Sequence, residues 1–310
     1  MEPGAAPSAA PDTVQRRDQW MLLAAGIGTA LTASRVKYLL IKGAVPDVRG
    51  LREPKYSADL DVLVHPDDAL AALATLGAWG WTTSVGSGGD TARAPHAETL
   101  VHKGWPVSID LHHTFPGFTE GAARAFEVLW ERRQPLDAAG CVVDAPDRLG
   151  TALVESLNAM RSGALGQSID GSHGAGRAVI GALADDEALQ LAELADSAGA
   201  AYAMAPVLGR PEARASKPDQ LAWDLALAGA GPFEARAAAD FSLSRGSARV
   251  VALARIVWPR RDEFVSTYGL DHASSFEVLG ARFARLGRGL ARLPRGLSRA
   301  RALTQRSPRS

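Results

Sequence analysis

Two aspartates one residue apart, Asp59 and Asp61, enter the apolar run Leu60 to Val64. Side chains alternate along a strand, so both carboxylates project from one face, where they can share a divalent cation. A third acid, Asp110, interrupts the apolar run Val107 to Leu111. Carboxylates gathered on apolar strands repel one another and lose hydration, a cost that a cation among them removes. Upstream, Lys42-Gly43 follows the apolar run Tyr38 to Ile41. That pair offers a point charge and a backbone with no Cβ in the way, both suited to phosphate oxygens. Each piece also has a plainer reading: a turn aspartate beside an exposed strand aspartate, a strand-end lysine in solvent, and a basic surface loop carrying Arg49, Arg52 and Lys55. The occurrence of all of them in one chain is what favours chemistry.

The ordered runs Leu40-Ile41-Lys42-Gly43, then Ser57-Ala58-Asp59-Leu60-Asp61-Val62-Leu63-Val64, then Ile109-Asp110-Leu111-His112 resemble the uncharacterised branch of the DNA polymerase β-like nucleotidyltransferase superfamily. The resemblance spans Trp20 to Phe118 and is loose over the rest. It implies an α+β fold, with a small mixed or antiparallel sheet flanked by helices and a mainly helical C-terminal region. It implies that Asp59, Asp61 and Asp110 are catalytic and hold two Mg²⁺ ions, with Mn²⁺ as a substitute, for transfer of a nucleoside monophosphate from a nucleoside triphosphate such as ATP to a hydroxyl, releasing pyrophosphate. Lys42 and Gly43 would steady the β and γ phosphates, and Ser57 joins the nucleotide-binding set. His112 would hydrogen-bond a metal-bound carboxylate or a substrate phosphate. Related sequences carry an arginine shortly before the first aspartate. Lys55 stands there in this chain, keeping the charge without the planar fork, so either Lys55 or Arg52 serves as the phosphate clamp. Ala44 stands where a serine is common, so no hydroxyl helps at that turn.

These groups must be positioned by strands at Tyr38 to Ile41 and Leu60 to Val64, and by an antiparallel pair, Ala97 to His102 and Pro106 to Leu111. The run Trp20 to Ala33 reads as a first buried helix. His65-Pro66-Asp67-Asp68 reads as the start of a helix over Ala69 to Leu76, with Asp67 and Asp68 as its caps. Gly86-Ser87-Gly88-Gly89 reads as a hairpin connection. A helix over Ala122 to Glu131 and a short strand at Cys141-Val142-Val143 follow. Leu149, Leu153 and Leu157 stack four apart on a helix opened by Pro146-Asp147. Gly166 to Gly176 reads as a loop. Further helices are expected at Asp185 to Ala198, Lys217 to Gly229, Arg249 to Trp258 and Ser274 to Leu293. His96, Glu98, His102, His112 and His113 invite a zinc reading, but their spacing fits no four-ligand zinc pattern.

The chain has 310 residues, 46% hydrophobic and 22% charged, enough for a substantial core. The expected organisation is a disordered tail over 1–13, a nucleotidyltransferase core over 14–145, a helical domain over 146–293 and a basic tail over 294–310. Net charge is zero, yet from Arg282 onward there are nine arginines and no acid, leaving about minus nine on the rest. An acidic body of that kind needs a metal before it accepts a triphosphate. Arg282, Arg285, Arg288, Arg292, Arg295 and Arg299 interleave with Leu286, Leu290, Leu293 and Leu297. That pattern reads as a solvated final helix in preference to a nucleic-acid or membrane-binding one. Cys141 is the single cysteine, so no intrachain disulfide forms and the cytoplasm is the expected compartment. The Trp20 to Ala33 run is too short to span a bilayer, and no transmembrane segment is expected. Expected partners are a nucleoside triphosphate and a small-molecule, peptide or protein acceptor. Two other classes fit the acids less well: a non-catalytic, antitoxin-like or scaffolding relative, and a glycosyltransferase using Asp-x-Asp to hold a nucleotide diphosphate.

Overall fold

The structure is a computed structural model that describes residues 13–55, 57–84, 97–163, 169–211, 213, 215–227, 246, 274–276 and 278–283. Helix α1 (Thr13–Ala33) comes first. Its buried residues Trp20, Leu23, Ala24, Ile27 and Leu31 recur at helical spacing, which gives the helix one apolar stripe to lay on a sheet. Strand β1 (Tyr38–Ile41), the single-turn helix α2 (Val45–Val48) and strand β2 (Asp59–Val64) follow. A 3₁₀ turn over Pro66–Asp68 leads into α3 (Ala69–Ala78), and then come β3 (Thr82–Thr83), β4 (Ala97–Val101) and β5 (Ser108–His112).

These strands form one mixed sheet in the order β1-β2-β5-β4-β3. β1 pairs antiparallel with β2, β4 with β5 and β3 with β4, whereas β2 and β5 run parallel. A parallel neighbour requires a crossover connection, and α3, β3 and β4 lie along the chain between the two. The register sets Ile41 opposite Asp61, Asp61 opposite Asp110, and Asp110 opposite Thr99. One row across the sheet therefore carries two acids and a hydroxyl.

Both faces of the sheet are covered. Tyr38, Leu40, Leu60, Val62, Val64, Leu100, Ile109 and Leu111 share a core with α1, α3 and a hairpin of β6 (Arg133–Ala138) and β7 (Cys141–Pro146). Leu39, Ile41 and Leu63 face the other way, into a core built by α4 (Ala122–Glu131), α5 (Arg148–Gly163), α7 (Asp185–Ser197), α8 (Ala201–Met204) and α9 (Lys217–Leu227). By alternation Asp59, Asp61, Asp110 and His112 belong to this second face, so the helical layer overlies the acids. The fold is α+β, a five-stranded mixed sheet with helices and a mostly helical C-terminal part. No described helix is long and apolar enough to cross a membrane.

Several local expectations change. Gly166 to Gly176 falls largely in α6 (Ile169–Ile180) and not in a loop. A Cβ on Gly176 would lie 2.8 Å from Met160 Cγ, so the small residues let α6 lie close on α5. That contact outweighs a helix cost of about 1 kcal/mol per glycine. Asp67 and Asp68 do not cap α3 through their side chains. His65 caps the preceding 3₁₀ turn instead, its Nδ1 accepting from the Asp67 N–H at 3.3 Å. The strand at Cys141-Val142-Val143 is longer and has a partner, β6, that its polar sequence hides. The hairpin Gly86 to Gly89, His96, the helix at Arg249 to Trp258 and the arginine-rich tail beyond Phe283 lie outside the described residues, as does Met1 to Asp12.

Arg148, at the start of α5, binds the two halves together. Its Nη1 donates to the carbonyls of Arg49 and Gly50, its Nη2 to that of Ala182 at 2.7 Å, and its Nε pairs with Glu187 at 3.0 Å. Helix α1 lies close on the strands at Gly28, where an added Cβ would lie 2.6 Å from both the Tyr38 hydroxyl and Val143 Cγ1. Gly28→Ala tests this packing. Helix propensity alone would favour alanine by about 1 kcal/mol, but the clash should make the variant less stable by roughly 1–3 kcal/mol in urea unfolding.

Candidate functional site

The site begins at the Lys42-Gly43 turn. Lys42 has φ of +57° and Gly43 of +53°, so the chain leaves β1 through two consecutive left-handed residues. For lysine that conformation is strained. A Cβ on Gly43 would come within 2.7 Å of Trp20 Nε1. Glycine is therefore required here twice over, by its backbone angle and by the indole lying on it. The same indole donates to the Asp59 carbonyl at 3.1 Å, which ties the turn to the entry of β2. The turn brings the Lys42 ammonium onto Asp61 Oδ1 as an ion pair.

Asp61 is only 2% exposed, and its Oδ1 also meets His112 Nε2 at 2.8 Å. An ionised carboxylate only accepts, so the imidazole Nε2–H donates. Burial acts to raise the Asp61 carboxyl, but the His112 hydrogen bond and the Lys42 charge outweigh it and hold it below its ordinary range. Asp59 behaves oppositely. Burial, then the negative charge of Asp61, push its carboxyl up, although Ser57 Oγ donates to Asp59 Oδ1 at 2.9 Å. Asp110 Oδ1 accepts from Thr99 Oγ1 at 2.7 Å. Asp61, Asp110 and His112 each offer one ligand atom, all within 4.8 Å of one another.

This donor set fits a hard divalent cation. Two carboxylates face each other across parallel strands, a third sits one step away with its ionisation disfavoured, and the nearest imidazole is engaged with Asp61. Oxygen donors of this kind select Mg²⁺ or Mn²⁺ over zinc. Among the described residues no other group of three or more such ligands converges.

The helical layer contributes groups that the motifs do not mark. Glu155 of α5 is buried and takes Arg52 Nη1 at 2.8 Å. Burial raises its carboxyl, against the pull of Arg52 and Lys42. Arg52 also binds Asp47 Oδ1 through Nε at 2.7 Å and the Gly43 carbonyl through Nη2. Arg52 thus braces the glycine turn, while Lys55 is exposed and engages Asp47 only through its backbone N–H. Phe115, buried after β5, has Lys42 Nζ 5.6 Å and Arg161 Cζ 5.8 Å from its ring centroid. Glu155 and Arg161 went unread because their only sequence signal is charge within a helix that is otherwise buried from Leu149 to Leu157.

Of the residues singled out in the sequence, Lys42, Asp61, Asp110 and His112 converge directly, with Asp59 and Ser57 beside them. Gly43 and Arg52 support the turn, and Lys55 is exposed at the edge of the site, where its charge acts on Glu155. The opposite shifts of Asp59 and Asp61 give opposite predictions. Asp59, with a raised value, favours folding below the ordinary carboxylate range and loses that contribution as pH rises through the raised value. Asp59→Asn should therefore stabilise the metal-free protein at pH 7 by roughly 0.5–2 kcal/mol, with the gain vanishing near pH ~4. Asp61, with a lowered value, contributes stability above the ordinary range and loses it as pH falls through the lowered one. Asp61→Asn strands the Lys42 charge and should cost about 3 kcal/mol at pH 7. Thermal melts of both variants at the two pH values check the signs.

Residues 8–156 match a family model described as an uncharacterised nucleotidyltransferase. No curated protein matches the sequence. Among solved structures, the crystal structure of an antigenic nucleotidyltransferase-like protein from Paracoccidioides brasiliensis is similar at 11% identity and a TM-score of 0.36, over 63% of this chain and 95% of that one. That likeness is too remote to bear on the site. The matched segment holds Lys42, Asp59, Asp61, Asp110 and His112, and over this segment, just under half of the chain, the protein belongs to the uncharacterised nucleotidyltransferase family.

Proposed function

We propose that the protein is a divalent-metal-dependent nucleotidyltransferase that moves a nucleoside monophosphate from a nucleoside triphosphate to a hydroxyl-bearing small molecule, peptide or protein. The observation that carries this reading is the Asp61–Asp110 register across parallel strands, with Asp59 adjacent, in a chain of this family. Asp59, Asp61 and Asp110 would hold two Mg²⁺ ions. When bound, such ions polarise a phosphoryl oxygen and lower the pKa of a coordinated hydroxyl.

The chain's own groups have distinct tasks. His112 fixes the rotamer of the Asp61 carboxylate through its Nε2–H, and Thr99 does the same for Asp110. Ser57 orients Asp59. Asp110 faces the acceptor and takes its hydroxyl proton as the acceptor oxygen bonds to the α-phosphorus. The bond from that phosphorus to the β-phosphate bridging oxygen breaks, and pyrophosphate leaves. Lys42, already at the mouth of β1, supplies positive charge to the departing phosphates.

A second reading, a non-catalytic nucleotide-binding relative, has one observation in its favour. Lys42 already neutralises Asp61, so the buried acid is satisfied without a metal. Incubation with each α-³²P nucleoside triphosphate, Mg²⁺ and cell extract separates the two. Transfer of label to an extract component is expected, falling about 10²–10⁴-fold in Asp61→Asn and Asp110→Asn. Mg²⁺-dependent nucleotide binding with no transfer to any component favours the second reading. Full activity in the Asp59→Asn, Asp61→Asn double variant would sink the proposal.

A further inference from the structure

The cations around the site are not equivalent. Lys42 is matched by Asp61, and Arg52 by Asp47 and Glu155. Arg161, in the last turn of α5, lies over the Phe115 ring and makes no hydrogen bond or ion pair among the described residues. It is nevertheless partly buried. Burial acts to lower the guanidinium's pKa, and the one charge opposing this is Asp61, whose partner Lys42 lies over the same Phe115 ring as Arg161. A partly buried cation with no anion of its own is costly, and one set beside an acid cluster is a candidate for ligand binding.

We propose that Arg161 is an anion-binding residue of this site, holding the phosphate chain of the bound nucleotide together with Lys42. The proposal rests on the nucleotidyltransferase reading and assigns the two flanks of the site. Arg161 and Lys42 lie by the same Phe115 ring, which follows β5 and packs on His112, and Lys42 reaches it from the end of β1, where it pairs with Asp61 of β2. Asp110 lies one strand further on, held by Thr99 from β4. The polyphosphate therefore occupies the Lys42–Arg161 flank beside Phe115 and the acceptor hydroxyl the Asp110–Thr99 flank. A guanidinium suits the first of these places because its planar fork takes two phosphate oxygens at once. The simpler role for a basic residue at this position is to complement the end of the α5 dipole. That role needs neither burial nor an aromatic surface.

Isothermal titration of pyrophosphate, ATP and adenosine into the full chain with Mg²⁺ tests the assignment. Arg161→Ala should weaken pyrophosphate and ATP by about tenfold or more, leave adenosine unchanged, and be only partly rescued by Arg161→Lys. Unchanged pyrophosphate affinity overturns the assignment, as does a lower melting temperature with no loss of affinity, the signature of a dipole contact. If the alanine variant does not fold, the wild type answers instead. Pyrophosphate should protect Arg161 from phenylglyoxal, read by peptide mass spectrometry, and modification at an undiminished rate overturns the proposal. Pyrophosphate binding that depends on Arg161, without nucleotidyl transfer to any acceptor, retains the anion site and removes the transferase reading. Transfer by Arg161→Ala at an unchanged KM for the triphosphate does the reverse.

Discussion

A carboxylate that is almost wholly out of water, kept ionised by a lysine and a histidine, is the constraint around which the rest is arranged. Asp61 sits in the second row of the sheet with cores on both faces, and neither its charge nor its position would be tolerable without Lys42 and His112. The Lys42 backbone accepts a left-handed conformation to reach it. Gly43 follows so that Trp20 can lie against the turn, and Arg52 grips the Gly43 carbonyl from the loop. Arg52 in turn depends on Glu155 of α5, so the electrostatics of one aspartate extend into the helical layer.

The three acids are not interchangeable. Asp61 is stabilised in its charged form by neighbours from two strands, whereas Asp59 is pushed toward its neutral form by burial and by Asp61. The site thus holds one carboxylate at rest and one under stress, and a divalent ion bound beside them would relieve the second more than the first.

The period-two pattern of Asp59 and Asp61, and the apolar strand around Asp110, were legible because they depend on local geometry that a linear pattern records. The buried α1 and the start of α5 after Pro146-Asp147 were legible for the same reason, whereas a mixed or antiparallel sheet was implied by the family resemblance alone. The parallel pairing of β2 with β5 was not, since register between strands distant in the chain leaves no local mark. Glu155 and Arg161 were invisible because tertiary packing, and no motif, turns them toward the sheet. Glycine misled in α6, where Gly176 permits close helix contact in place of a loop. The polar sequence of β6 hid a strand whose only inward residues are Leu136 and Ala138.

The parallel register of β2 and β5 also bears on how the molecule is born. Everything Asp61 needs except His112 lies upstream or on the adjoining hairpin, but Asp110 and His112 arrive only after α3, β3 and β4 have been made. Closing so long a loop is an entropically late event, slow relative to hairpin formation. A nascent chain that has emerged only as far as β2 therefore displays the Asp-x-Asp pair beside Lys42 but lacks the facing half of the cluster. Assembly of that cluster reports completion of the whole sheet.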